Sequence, residues 1–151
     1  MNNTSNDLTM STFTTQENTL RFKQFIPGIA WFLFVLILIC IPGQSLPETN
    51  WLNLISFDKL VHGLLFGGIV FLFCRPFSKT TISIPVRLKW FVLITFITCF
   101  WGLGTELIQR YFVPGRQFDM VDWAADSLGS IAAFFVVQRF FLKSQPKTPS
   151  V

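Results

Sequence analysis

Most of the residues able to do chemistry fall in three short segments of the 151-residue chain. Asp58, Lys59 and His62 begin one apolar run, and Glu106, Gln109 and Arg110 end another. After a Tyr111–Gly115 link, Arg116, Asp119, Asp122 and Asp126 lead into a third. Carboxylates beside a histidine can relay protons or hold a cation, while lysine and arginine bind anionic groups or bridge acids. Asp58 and His62 are spaced i,i+4, Glu106 and Gln109 i,i+3, and Asp119, Asp122 and Asp126 i, i+3 and i+7. Each set therefore occupies one face of its helix.

Each of these residues also has a plainer use. Asp119 suits an N-cap with Asp122 at N3, and Asp58 suits the same task at its own helix. His62 alone reads as a hydrogen-bonded interior histidine. Glu106 resists this treatment, because an acid at a helix C-terminus opposes the dipole; Arg116 or Lys59 is its natural partner. Asp126 lies about 10 Å into its helix. At that depth in a membrane it must be protonated or paired, and Lys59 and His62 are the available partners. Arg116, with its planar fork, is expected to hold the acids together, and Arg110 to lie in an exposed loop.

The elements that carry these residues are apolar. Hydrophobic residues make up 51% of the chain and charged ones 13%, about half the usual charged share, and Phe alone supplies 19 residues. That balance excludes an ordinary water-soluble enzyme, a disordered chain and a disulfide-stapled module. The basic residues form no patch interleaved with exposed aromatics, so no nucleic-acid partner is expected. Cys40, Cys74 and Cys99 lie inside apolar runs without C-x-x-C spacing, and read as buried small hydrophobes. No cofactor is indicated.

Four apolar runs predict an all-α, polytopic membrane protein, a bundle of four transmembrane helices near residues 26–42, 58–76, 89–109 and 120–142. Residues 1–24 read as a disordered cytoplasmic tail, 25–142 as the transmembrane domain and 143–151 as a short cytoplasmic tail. The first run lacks a small-x-small cleavage site and reads as an uncleaved span. With both termini inside, the inner side carries nine basic residues (Arg21, Lys23, Arg75, Lys79, Arg87, Lys89, Arg139, Lys143, Lys147) and the outer side three (Lys59, Arg110, Arg116). The positive-inside rule then puts both termini in the cytoplasm of a bacterial cell and the polar segments at the outer face. Trp51, Trp101 and Trp123 fall near the same boundary, and Glu48 lies in an outer loop. The first helix, with no ionisable residue from Phe25 to Ile41, should be an accessory packing element. Gly63, Gly67, Gly68, Gly102, Gly104 and Gly129 allow close helix approach.

Asp58-Lys59-Leu60-Val61-His62, then Glu106-Leu107-Ile108-Gln109, then Pro114-Gly115-Arg116-Gln117-Phe118-Asp119-Met120-Val121-Asp122 together resemble the VanZ-like membrane protein family over residues 30–140. That family's pattern is D-K-x-x-H, E-x-x-Q, P-x-R-x-x-D-x-x-D and an N-x-x-G that opens the last span. Asp126, three residues before Gly129, stands where the family usually has Asn. The resemblance implies a link to teicoplanin resistance and assigns no reaction.

Three functions follow as expectations. The first is binding of an extracytoplasmic cell-envelope ligand, a lipid-linked precursor or glycopeptide, at Asp58, Lys59, His62, Glu106, Gln109, Arg116, Asp119, Asp122 and Asp126. The second is a membrane hydrolase or transferase with His62 or Glu106 as general base and Asp119 with Asp122 holding a divalent ion. The third is a small ion-coupled transporter, which with four spans would have to form a homo-oligomer.

Overall fold

A computed structural model describes residues 20–41 and 57–142. Of these, 85% are helical and none is in a strand. The α-helices are α1 (Ile26–Ile39), α2 (Phe57–Cys74), α3 (Ile84–Phe112) and α4 (Met120–Phe141). Counting the adjoining 3-10 turns, four helical segments among the described residues, Phe22–Ile39, Asp58–Lys79, Ile84–Phe112 and Met120–Phe141, are long and apolar enough to cross a membrane. Residues 1–19 and 143–151, together with Glu48 and Trp51, lie outside the described residues.

Local chemistry sets the helix ends. A 3-10 turn, Phe22–Phe25, leads into α1, which has Pro27 in its first turn. The Phe25 ring packs against Phe73 and Phe77, with centroids 6.3 and 6.1 Å away. α2 gives way at Arg75-Pro76 to a 3-10 segment ending at Lys79, where the Thr80 hydroxyl donates to Phe77 O at 2.9 Å. α3 starts at Ile84 rather than 89, with Ser83 as N-cap and Pro85 in its first turn, where proline's missing N–H is not needed. It runs on to Phe112, so Arg110 is an exposed helical residue and not part of a loop. At 29 residues α3 is roughly 43 Å long, longer than a ~30 Å hydrocarbon layer.

The helices alternate in direction. At one end Val70, Cys74, Phe77, Phe91 and Val137 form a core joined by Phe25. Arg87, expected in a loop, is buried there, and its guanidinium donates to Phe141 O at 3.0 Å, covering a carbonyl at the end of α4. Val35, Ile39, Phe66 and Ile69 tie α1 to α2, and Trp31 Nε1 donates to Leu65 O at 3.0 Å. Leu33, Phe34, Ile37, Leu64, Val92, Phe96, Phe100, Leu128 and Phe135 point outward, apolar and exposed. Thr95 and Thr98 donate their hydroxyls to Phe91 O and Ile94 O of their own helix, so neither leaves an unpaired group.

Candidate functional site

The site follows from how closely α2 and α4 cross. Gly63 and Gly67 of α2 face Gly129 of α4 backbone to backbone. A Cβ at Gly67 would lie 3.0 Å from Gly129 O, one at Gly63 3.3 Å from Ala125 O, and one at Gly129 would overlap the Gly63 carbonyl. Lys59 sits one turn before Gly63 on the same stripe, so the crossing delivers its ammonium to the first turn of α4. Its Nζ is 3.2 Å from Asp119 Oδ2, hydrogen-bonds Asp122 Oδ1 and is 3.8 Å from Asp58 Oδ2. Asp58 is the second residue of α2, inside the helix rather than at its N-cap, and is largely exposed.

A second layer lies inside the first. His62 Nδ1 is 3.0 Å from Asp126 Oδ1. Asp126 packs against α3 where Gly102 leaves room, since a Cβ there would be 3.2 Å from Asp126 Oδ2. Glu106, one turn further along the same face of α3, accepts from the Asp119 backbone N–H through Oε2 at 2.9 Å. The acid at the end of α3 thus faces the start of α4, whose N-terminal dipole favours a carboxylate. Glu106 and Asp126 are wholly buried, and Asp122 and Gln109 nearly so.

Between α3 and α4, Val113–Arg116 form a turn closed by Arg116 N–H donating to Val113 O at 3.2 Å. Pro114 presets its first corner and Gly115, at φ 78°, supplies the left-handed second one. Asp119 then caps α4, with Oδ1 accepting from Val121 N–H at 2.7 Å. That hydrogen bond, and after it the Lys59 ammonium, hold the Asp119 carboxyl below its ordinary pKa.

Two expectations are corrected here. Arg116 is not the cation that joins the acids: among the described residues it makes no ion pair, and its buried Nε has no hydrogen-bond partner. Lys59 takes that role because the glycine crossing carries it to Asp122, whereas Arg116 is held in the turn. Glu106 is partnered by a backbone N–H rather than by Arg116 or Lys59. Gln109 reaches α1, its Nε2 lying 3.5 Å from Ile39 O at the end of that helix. Of the nine residues singled out, Asp58, Lys59, His62, Glu106, Asp119, Asp122 and Asp126 come together, while Gln109 and Arg116 stand at the margin.

The residue types did not flag Thr105, Ser130 and Trp123. Thr105 and Ser130 are buried beside the acids with hydroxyls donated to Gly102 O and Asp126 O. Trp123, expected as an interfacial ring, ties α4 to α3 by donating Nε1 to Cys99 O at 3.0 Å. Helical spacing was the available signal, since Thr105 is one turn from Gln109 and Ser130 one turn from Asp126.

Among the described residues, two groups of three side chains each offer one ligand-type atom within 4.8 Å of the others: Asp58, His62 and Asp122, and His62, Glu106 and Asp126. Asp119 and Asp122, the pair expected to hold a divalent ion in a membrane enzyme, share the Lys59 ammonium as their counter-charge. Beside this cluster an open groove of about 680 Å3 runs down the outside of the α2–α4 crossing, from Lys59 and Leu60 past Leu64 and Leu128 to Ala132 and Val136. The arrangement can accept hydrogen bonds at exposed carboxylates, seat an apolar chain in the groove, and hold a cation in the buried layer. No family model, curated protein or solved structure matches the chain.

Proposed function

We propose that this chain is a VanZ-like integral membrane protein that binds a cell-envelope amphiphile. Its α2–α4 groove takes an apolar chain, and the carboxylates at the head of the groove take the polar group. The observation that carries this reading is the continuity of the apolar groove with Lys59, and through Lys59 with Asp58, Asp119 and Asp122. A ligand lying there has hydrocarbon at one end and hydrogen-bond acceptors at the other. Asp58 and Asp119 are the exposed acceptors, with side chains 58% and 45% accessible. Three acids around one ammonium favour a head group with hydroxyl or amine donors, such as a sugar or a peptide stem, over a bare phosphate. Lipid-linked precursors carry both. Handling of such precursors is also how this reading connects to teicoplanin resistance.

Placement in a membrane is supported by the four apolar helices and their outward apolar side chains, and the nine-to-three asymmetry of basic residues favours an extracytoplasmic groove head. Native mass spectrometry of the full chain, purified in mild detergent, tests the binding. The expected result is one retained amphiphile per chain, lost in Ala132→Phe, which fills the groove from an exposed position, and weakened in Asp58→Asn. Retention of nothing, or equal retention by wild type and Ala132→Phe, would overturn the reading.

A further inference from the structure

The buried layer of the cluster is short of positive charge. Lys59 is spent on Asp119 and Asp122, so the outer group of three already has its cation. The inner group, His62, Glu106 and Asp126, has two fully buried carboxylates and one imidazole. Each acid uses one oxygen: Glu106 Oε2 accepts from Asp119 N–H, and Asp126 Oδ1 meets His62 Nδ1. The other two, Glu106 Oε1 and Asp126 Oδ2, are buried with no hydrogen-bond partner among the described residues. Bare carboxylate oxygens in an apolar bundle are costly and call for a proton, a water or a cation.

We infer that His62, Glu106 and Asp126 form a binding site for one divalent transition-metal ion. One nitrogen and two carboxylates match the borderline ions, Zn2+ or Co2+, better than Mg2+ or Ca2+, which prefer all-oxygen shells. The size fits as well. Ligand atoms opposite each other across an ion with bonds of ~2.0–2.2 Å are about 4.0–4.4 Å apart, and the three groups already lie within 4.8 Å. His62 Nδ1 and Asp126 Oδ1, 3.0 Å apart, would subtend about a right angle at such an ion. Coordination at Nδ1 requires that atom to be free of its proton, which moves to Nε2 in the other neutral tautomer. The Asp119 N–H on Glu106 Oε2 is an outer partner that fixes the carboxylate and leaves Oε1 for the ion. Asp126 matters here as an acid: the asparagine of the family pattern would offer only a neutral carbonyl. The ion uses the buried faces of α2, α3 and α4, so this inference stands apart from the groove reading.

The test is metal binding by the full chain in detergent after chelator treatment and dialysis, with Zn2+ or Co2+ alone as probe. Stoichiometry is read by elemental analysis and coordination by the visible d–d absorption of Co2+. The expected result is one ion per chain, with affinity at least about 100-fold weaker in Asp126→Asn and in Glu106→Gln, more than loss of an outer partner causes. Asp58→Asn, which touches only the outer group, should bind as wild type does. Monodisperse elution and an unchanged far-UV spectrum identify variants that still fold; if one of the two inner variants does not, the other carries the comparison. No stoichiometric ion in the folded wild type, or equal loss in Asp58→Asn and Asp126→Asn, would overturn the assignment.

Discussion

Replacing Lys59 by Met removes the ammonium while keeping most of the apolar stem, and isolates what the cation does for the helix ends. Lys59 faces two acids of unequal burial. Asp122 has 8% of its side chain exposed and Asp119 45%, against 28% for Lys59 itself. Stripping one partner from a fully buried pair costs ~3–5 kcal/mol, whereas exposed pairs contribute only ~0.2–1 kcal/mol. The Asp122 arm lies between these limits, at about 2 kcal/mol, and the Asp119 arm adds less than ~1 kcal/mol. Lys59→Met should therefore lose about 2–3 kcal/mol, and Arg116→Met, which breaks no ion pair, less than ~1 kcal/mol. Unfolding in mixed micelles with increasing dodecyl sulfate, followed by tryptophan fluorescence, measures both. A cycle with Asp122→Asn should show a coupling of ~1–2 kcal/mol, since the neutral amide no longer needs the ammonium. Equal losses for the two cation variants, or Lys59→Met and Asp122→Asn adding to within ~0.5 kcal/mol, would refute the assignment of Lys59 as the organising cation.

Other consequences are as specific. Asp119 is held below its ordinary pKa by the Val121 N–H and then by Lys59, so its contribution is complete above the unfolded value near ~4 and is lost as pH falls through the lower folded value. Asp119→Asn should accordingly be less stable than wild type at pH 7, with the gap closing below about pH 4; a gap constant down to pH 2 would contradict this. Gly129→Ala drives a methyl into the Gly63 carbonyl and should cost ~1–3 kcal/mol in the same unfolding assay. Gly104→Ala, whose Cβ would meet Trp101 at an ordinary 3.6 Å, should be neutral or stabilising, and a reversed order would contradict the close crossing. Cysteines introduced at Thr4 and Gln44 should be labelled from the cytoplasmic and the external side respectively; labelling of Gln44 only from the cytoplasm would invert the orientation.

The helices themselves were legible in the sequence because four apolar runs leave few alternatives. Their limits were less so. α3 begins at Ser83-Ile84-Pro85, five residues before its apolar run suggests, and so Arg87 moves from a loop to a buried position beneath Phe141 O. Spacing alone put Asp58 with His62, Glu106 with Gln109 and the three aspartates of α4 on common faces, and alternating helix direction brought those faces to one end. Pairing was another matter. It depends on the helix crossing, whose signature is the four-residue spacing of Lys59, Gly63 and Gly67, a pattern that reads as packing until Gly129 is seen opposite. Glu106 was beyond reach for a different reason: its partner is a backbone N–H, which every residue but proline carries and no sequence marks. Gln109 shared a face with Glu106 yet serves α1, because α1 ends beside the last turn of α3.

The central claim, that the α2–α4 groove holds a particular amphiphile, is tested most directly by photocrosslinking in native membranes. A benzophenone amino acid at Leu128, an exposed residue lining the groove, is compared with the same group at Phe96, an exposed residue of α3 outside it. Mass analysis of the adducts should show one amphiphile class, with a sugar or peptide head, enriched at Leu128 over Phe96 and lost when Ala132→Phe is added. The same mixture of bulk lipids at both positions, or a second copy of the chain as the dominant adduct at Leu128, would contradict the account.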